Sequence, residues 1–261
     1  MTLASAANRR SSTTNAESDA TCGAALLAAM PRFLGETIQY VPAYNVLYLL
    51  NPKAACSSLR LWLLRTQARN PSWYPQPGEN GVHAVPNDPA ARLPDPQADL
   101  GWHRAYGLLQ GDAYVFSFVR NPVSRCLSAY YDKIVRVNQN PIRGEIQAIL
   151  GRNVDPDAAI TFDDYLTAIE AEVPALQNNH WRPQHVNVLH GTANHALIGK
   201  VENFNADFAR LCEESGMPPA GIGHEHKQAP NTLHEELLGG RPDRLRRIVK
   251  LYEADLEIFD Y

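Results

Sequence analysis

Twice in this chain an apolar stretch of strand length runs into a short basic turn, and the turn opens a helix. Asn45-Val-Leu-Tyr-Leu-Leu50 leads into Asn51-Pro-Lys-Ala-Ala-Cys-Ser-Ser58. Ala113-Tyr-Val-Phe-Ser-Phe-Val119 leads into Arg120-Asn-Pro-Val-Ser-Arg-Cys-Leu-Ser-Ala-Tyr130. A strand–turn–helix junction gathers backbone N–H groups and the positive end of a helix dipole at one point, which suits an anion. Two such junctions, each with its own cation, imply one ligand with two separate anionic groups.

The cations matter because the chain has no global basic field. It carries 24 Lys and Arg against 28 Asp and Glu, for a net charge of −4. Any anion site is therefore local, and nucleic acid is not an expected partner. With 261 residues and a hydrophobic fraction of 44%, the chain can bury a sizeable core. Its four cysteines, Cys22, Cys56, Cys126 and Cys212, form no C-x-x-C pair, which reads as reduced thiols in a cytoplasmic setting. No run approaches the ~20 apolar residues of a membrane span, and Ala24 to Met30 is too short and weak for a signal peptide.

Residues 1–32 are rich in Ala, Ser, Thr and Asn and read as a disordered or loosely ordered lead-in. Residues 33–261 read as a single domain. One or two strands are expected over Thr37 to Leu50, with Val46 to Leu50 buried on both faces. Ser57 to Gln67 reads as a helix with Leu59, Trp62, Leu63 and Thr66 on one side. Asn70 to Asp99 holds seven prolines and reads as a surface excursion near an active-site mouth. A short helix over His103 to Leu109, a strand over Tyr114 to Val119 and a helix over Pro122 to Val137 follow. Ile142 to Leu150 and Thr161 to Glu172 read as helices, the latter behind a capping pattern at Thr161. Ala196 to Val201 reads as a third short strand, and Phe204 to Ser215 and Arg241 to Phe259 as closing helices. Strands alternating with helices imply an α/β fold with a parallel sheet.

In the first turn, Lys53 precedes small residues, Ala54 and Ala55, which let a phosphate approach the backbone. Ser57 and Ser58 can cap the helix and donate to phosphate oxygens. A surface lysine beside an ordinary serine cap is the bland alternative, and it stays open. No GxxxxGK[ST] loop is present, and the lysine comes before the loop rather than after glycines. In the second turn, Arg120 ends the strand and Ser128 follows eight residues on, sharing a helix face with Ser124. Arg120 and Ser128 could hold a phosphate from two sides. Structural ion pairs are the alternative for Arg120 and Arg125, and Tyr130 and Tyr131 read as packing residues.

Together these two motifs resemble the sulfotransferases that use 3′-phosphoadenosine-5′-phosphosulfate (PAPS). More narrowly, the chain is similar to the carbohydrate sulfotransferases of the chondroitin and HNK-1 type and their soluble bacterial relatives. The first motif is Pro52-Lys-Ala-Ala-Cys-Ser57, and the second is the Arg120 to Tyr130 segment. His180-Trp-Arg-Pro-Gln184, Ile198-Gly-Lys-Val-Glu202 and the stretch from Tyr252 to Tyr261 match further family segments in the same order. The resemblance spans about residues 40 to 261. It departs at the N-terminus, where Golgi members carry a membrane anchor and none is read here, which leads us to expect a soluble, cytoplasmic member.

The resemblance implies a three-layer α/β sulfotransferase fold with a central, mostly parallel sheet and P-loop-like strand–turn–helix anion sites. It also implies sulfuryl transfer from PAPS to an acceptor hydroxyl on a small molecule or carbohydrate, without a metal. Lys53, Ala54, Ala55, Cys56, Ser57 and Ser58 would bind the 5′-phosphosulfate, and Arg120 and Ser128 the 3′-phosphate. An acceptor hydroxyl needs a general base titrating near working pH, which favours histidine. His103, 17 residues before Arg120, is the first candidate by position, and His180 is the second. His224, His226 and His234 lie in a C-terminal loop, and the H-x-H pair finds no third ligand at metal-binding spacing. Two other readings remain: a small-molecule kinase, which would need a Walker lysine, and a non-catalytic nucleotide-binding module, which would bind the bisphosphate and transfer nothing.

Overall fold

Four strands form one sheet in the order β1-β2-β3-β4: β1 (Ile38–Val41), β2 (Val46–Leu49), β3 (Tyr114–Val119) and β4 (His195–Lys200). The computed structural model describes residues 38–70, 72, 101–136, 141–153, 155, 158–220, 222 and 232–261. The expected lead-in over residues 1–32, nearly all of the proline-rich stretch, and His224 and His226 lie outside these.

β2, β3 and β4 are parallel, and β1 runs antiparallel to β2 with Ile38 opposite Leu49. That reversal is local. Pro42 starts a single turn of tight helix, and Asn45 takes a left-handed conformation (φ 52°), sending the chain back beside itself. The sheet is thus mostly parallel, as expected. β1 and β2 are buried at every position, as a strand covered on both faces should be.

The helices are α1 (Cys56–Gln67), α2 (Trp102–Gly107), α3 (Pro122–Tyr130), α4 (Pro141–Ile149), α5 (Phe162–Ala171), α6 (Gln184–Asn187), α7 (Phe204–Ser215), α8 (Leu233–Leu238), α9 (Pro242–Leu251) and α10 (Glu253–Ile258). Leu59, Trp62 and Leu63 of α1 and Phe208 and Leu211 of α7 cover one sheet face, against Tyr48, Phe116 and Phe118. On the other face, Ala105 of α2 and the following Leu108 and Leu109 pack on Leu47, Leu49 and Val115. Described residues therefore cover both faces, which gives three layers. A second, all-helical core joins α3, α4, α5, α8 and α9 around Tyr130, Phe162, Tyr165 and Trp181.

Three expected helices have different limits. The helix from Pro122 passes at Tyr131 into a π-helical turn, Tyr131–Val135, and the helix from His103 likewise gives way to a π turn at Leu108. The expected closing helix breaks at Tyr252, whose backbone (φ −120°, ψ 24°) is not helical; its hydroxyl donates to the Trp181 carbonyl at 2.7 Å. The capping box at the start of α5 forms: Thr161 Oγ1 accepts from the Asp164 N–H, and the Asp164 carboxylate accepts from the Thr161 N–H.

Candidate functional site

Parallel pairing of β2 with β3 brings both basic turns to the same edge of the sheet, outside the carboxyl ends of adjacent strands. That is where open α/β sheets place ligands. The turns are also wired together. Asn51, buried at the end of β2, donates to the Phe118 carbonyl (3.0 Å) and to Gln184 Oε1 (2.9 Å). The same Gln184 amide accepts from the Arg120 N–H (2.9 Å) and donates to the Arg120 carbonyl (2.7 Å). Gln184 thus bonds to both turns. Its own backbone N–H donates to Asp255 Oδ2 at 2.7 Å, and the His185 N–H to Asp255 Oδ1 at 2.9 Å.

Arg125 supplies a second link. Its guanidinium is 1% exposed and donates three bonds of 2.9 Å, to the carbonyls of Pro52, Arg182 and Asn179. The structural role expected for Arg125 is therefore real, but the partners are backbone carbonyls rather than acids. A guanidinium has five N–H donors in a fixed fork, which suits binding several carbonyls at once. Tyr130 packs as expected, with its hydroxyl donating to the Ile160 carbonyl.

The first turn is held in an unusual backbone. Lys53 (φ 69°) and Ala55 (φ 57°) are both left-handed, a conformation that costs a non-glycine residue roughly 1–3 kcal/mol. Ala55 is the N-cap of α1 and offers no side-chain acceptor, so no side chain caps this helix through it. Ser57 and Ser58 fall inside the first turn instead of at the cap, because the helix already begins at Cys56. The Ala54 N–H is engaged with the Asn51 carbonyl at 3.2 Å.

Lys53 Nζ is paired with Asp132, and both side chains are only about one-sixth exposed, at 16% and 15%. Burial pushes the lysine pKa down, and Asp132 opposes that. Burial would raise the Asp132 carboxyl, yet the Lys53 hydrogen bond and charge, with help from Arg136 and Lys133, hold it well below the ordinary carboxylate range.

The second turn differs. Asn121 caps α3, its Oδ1 accepting from the N–H groups of Val123 (3.1 Å) and Ser124 (3.2 Å). Pro122 contributes no N–H. Among the described residues neither the Arg120 guanidinium nor the hydroxyls of Ser124 and Ser128 make a hydrogen bond. Burial lowers the Arg120 pKa while Glu202 and Tyr261 oppose that shift.

His180 sits among the charges of the first turn. Burial, then Lys133, Lys53 and Arg125, depress its pKa well below 6.5, with Asp132 opposing. Its ring is oriented. Asn178 Oδ1 accepts from the His180 N–H (3.2 Å) and from Nδ1 (2.8 Å), while Asn178 Nδ2 donates to Glu145 (3.0 Å). An amide oxygen only accepts, so Nδ1 carries the proton and Nε2 keeps its lone pair. His103 is exposed on α2, and among the described residues no hydrogen bond or ion pair ties it to either turn. Asp132, Gln184 and Asn178 were not singled out in the sequence. Gln184 stands in the His180-Trp-Arg-Pro-Gln184 segment, and that recurrence was the available signal.

A model of the sulfotransferase family matches residues 37–261. A human protein named carbohydrate sulfotransferase 14 (Homo sapiens) is 27% identical over 158 residues, covering 57% of this chain and 42% of the human one. The Danio rerio protein of the same name is 25% identical over 166 residues, covering 57% of this chain and 44% of the fish protein. The matched stretch is thus less than half of each relative's length. No solved structure matches. Among the described residues no helix is long and apolar enough to cross a membrane.

Proposed function

We propose sulfuryl transfer to an acceptor hydroxyl as the reaction of this chain, which belongs to the sulfotransferase family. The donor we assign is PAPS, and the acceptor class is a carbohydrate, as the relatives' names suggest for those proteins. One observation carries the donor: two basic turns at neighbouring parallel strand ends, joined through Gln184. Lys53 beside the left-handed start of α1 suits one anionic group, and the Arg120 guanidinium with the Ser128 hydroxyl suits another. When bound, PAPS supplies the sulfuryl group and a bisphosphate leaving group.

The chain's own residues then have distinct tasks. Lys53, with the amides and hydroxyls of residues 54–58, neutralises charge that develops on the leaving 5′-phosphate. Arg120 and Ser128 hold the 3′-phosphate and fix the donor's register. His180 Nε2 accepts the acceptor's hydroxyl proton as the acceptor oxygen bonds to sulfur and the bridging S–O bond breaks. His180 is preferred to His103 because it is tied by charge to Lys53 and its free nitrogen is defined. A small-molecule kinase is the weaker reading, given the family match and the absent Walker loop.

Titration calorimetry with adenosine 3′,5′-bisphosphate tests the donor. We expect binding by the full chain that weakens in Lys53→Ala and in Arg120→Ala. No binding, or affinity unchanged from wild type in both variants, overturns the assignment. For the base, transfer of labelled sulfate from PAPS across a panel of carbohydrate acceptors should collapse in His180→Gln with bisphosphate affinity retained. Its acid limb should lie below pH 6.5, because the depressed pKa keeps the ring neutral down to that point. Full turnover in His180→Gln together with loss in His103→Gln would reassign the base to His103.

A further inference from the structure

Asp132 belongs to the π-helical turn that continues α3, 79 residues from Lys53, and its carboxylate gathers three cations. Lys53 Nζ and Arg136 both pair with it, Arg136 Nε donating at 3.0 Å, and Lys133 Nζ lies 3.5 Å away. The donor-site lysine is therefore already committed to an anion of the chain itself. A phosphosulfate entering the first turn would seek the same ammonium.

We propose that Asp132 is a positioning residue that holds Lys53 as a tethered counter-ion and yields it to the donor, so that donor binding and the Lys53–Asp132 ion pair exclude one another. The inference rests on the sulfuryl-transfer reading. Three features support it. Asp132 remains charge-compensated after Lys53 departs, because Arg136 and Lys133 stay on the same carboxylate. A largely buried Lys53 left alone beside Lys133 would shed its proton more readily, so the pair keeps the ammonium charged until an anion arrives. His180 lies within charge reach of Asp132, so an imidazolium formed at His180 meets a carboxylate freed of one partner. Among the described residues, the groups facing Lys53 are Asp132, Lys133, Cys56 and His180, and those facing Asp132 are Lys53, Arg136, Lys133 and His180.

Asp132→Asn in the full chain tests this by calorimetry with adenosine 3′,5′-bisphosphate across pH. With the competing carboxylate removed, bisphosphate should bind about tenfold tighter near pH 7. The alkaline loss of affinity should begin at lower pH than in wild type, because Lys53 has lost the group that favours its charged form. Asp132→Glu should restore both toward wild type. A residue that only supports the fold would weaken binding and leave the alkaline limb in place. Unchanged or weaker binding in a folded Asp132→Asn protein overturns the proposal. Should that variant not fold, NMR of the wild-type lysine ammonium groups decides. The Lys53 resonance should shift when bisphosphate is added, and a resonance that stays fixed at saturation overturns the proposal. Absence of bisphosphate binding by wild type would instead defeat the sulfuryl-transfer reading itself.

Discussion

At the first junction Ala55 turns left-handed and puts no side-chain acceptor at the start of α1, whereas at the second Asn121 caps α3 through the amides of Val123 and Ser124. In sequence the two segments look like copies of one device. In structure they offer different things to an anion. The first presents a strained turn and a lysine in competition with Asp132. The second has two of its helix amides already satisfied and presents an arginine and hydroxyls that make no hydrogen bonds among the described residues. A strand, a basic turn and a helix are thus not enough to define how an anion is held. The residue at the cap position decides whether backbone or side chains do it.

The division should appear in kinetics. Lys53→Ala is expected to lower kcat about 10²–10³-fold, the cost of losing one group aimed at developing charge. Arg120→Ala is expected to raise the KM for PAPS about 10–100-fold with a smaller change in kcat, since a charged hydrogen bond contributes about 1.5–3 kcal/mol to binding. Steady-state rates of labelled transfer measure both, and equal kcat losses in the two variants would erase the distinction between the junctions. Next in size is Gln184→Ala, which removes the side-chain partner of the Arg120 N–H and carbonyl and leaves Asn51 Nδ2 with the Phe118 carbonyl alone. We expect a loss of about 2–4 kcal/mol in urea unfolding and weaker bisphosphate binding. An unfolding midpoint equal to wild type would show that the two turns stand independently. The smallest effect belongs to Asn121→Ala. Loss of the cap should cost about 1 kcal/mol of stability. Bisphosphate affinity should stay within about twofold, because the second junction relies on Arg120 and Ser128 side chains.

Much of this was legible from local pattern. The apolar runs Val46 to Leu50 and Tyr114 to Val119 are strands because they are buried on both faces, and Thr161 announced α5 by its capping chemistry. Reversal of β1 was not readable from hydrophobicity, since it depends on Asn45 adopting a left-handed backbone. Tyr252 continued an apolar helical period, and its break follows from a bond to Trp181 that lies 71 residues away. Arg125 looked like an ion-pair residue because charge invites charge, and a buried guanidinium satisfied by carbonyls leaves no such mark. Asp132 and Gln184 gain meaning only from partners 79 and 64 residues distant.

The Asp255 carboxylate, fully buried, receives the N–H groups of Gln184 and His185 and the ring of His185 (2.7 Å). Translation delivers Lys53 and Arg120 long before it delivers Asp255. The anchor that holds the Gln184 backbone stands 135 residues after Arg120 in the chain. The link between the two turns is therefore among the last parts of the chain to be synthesised.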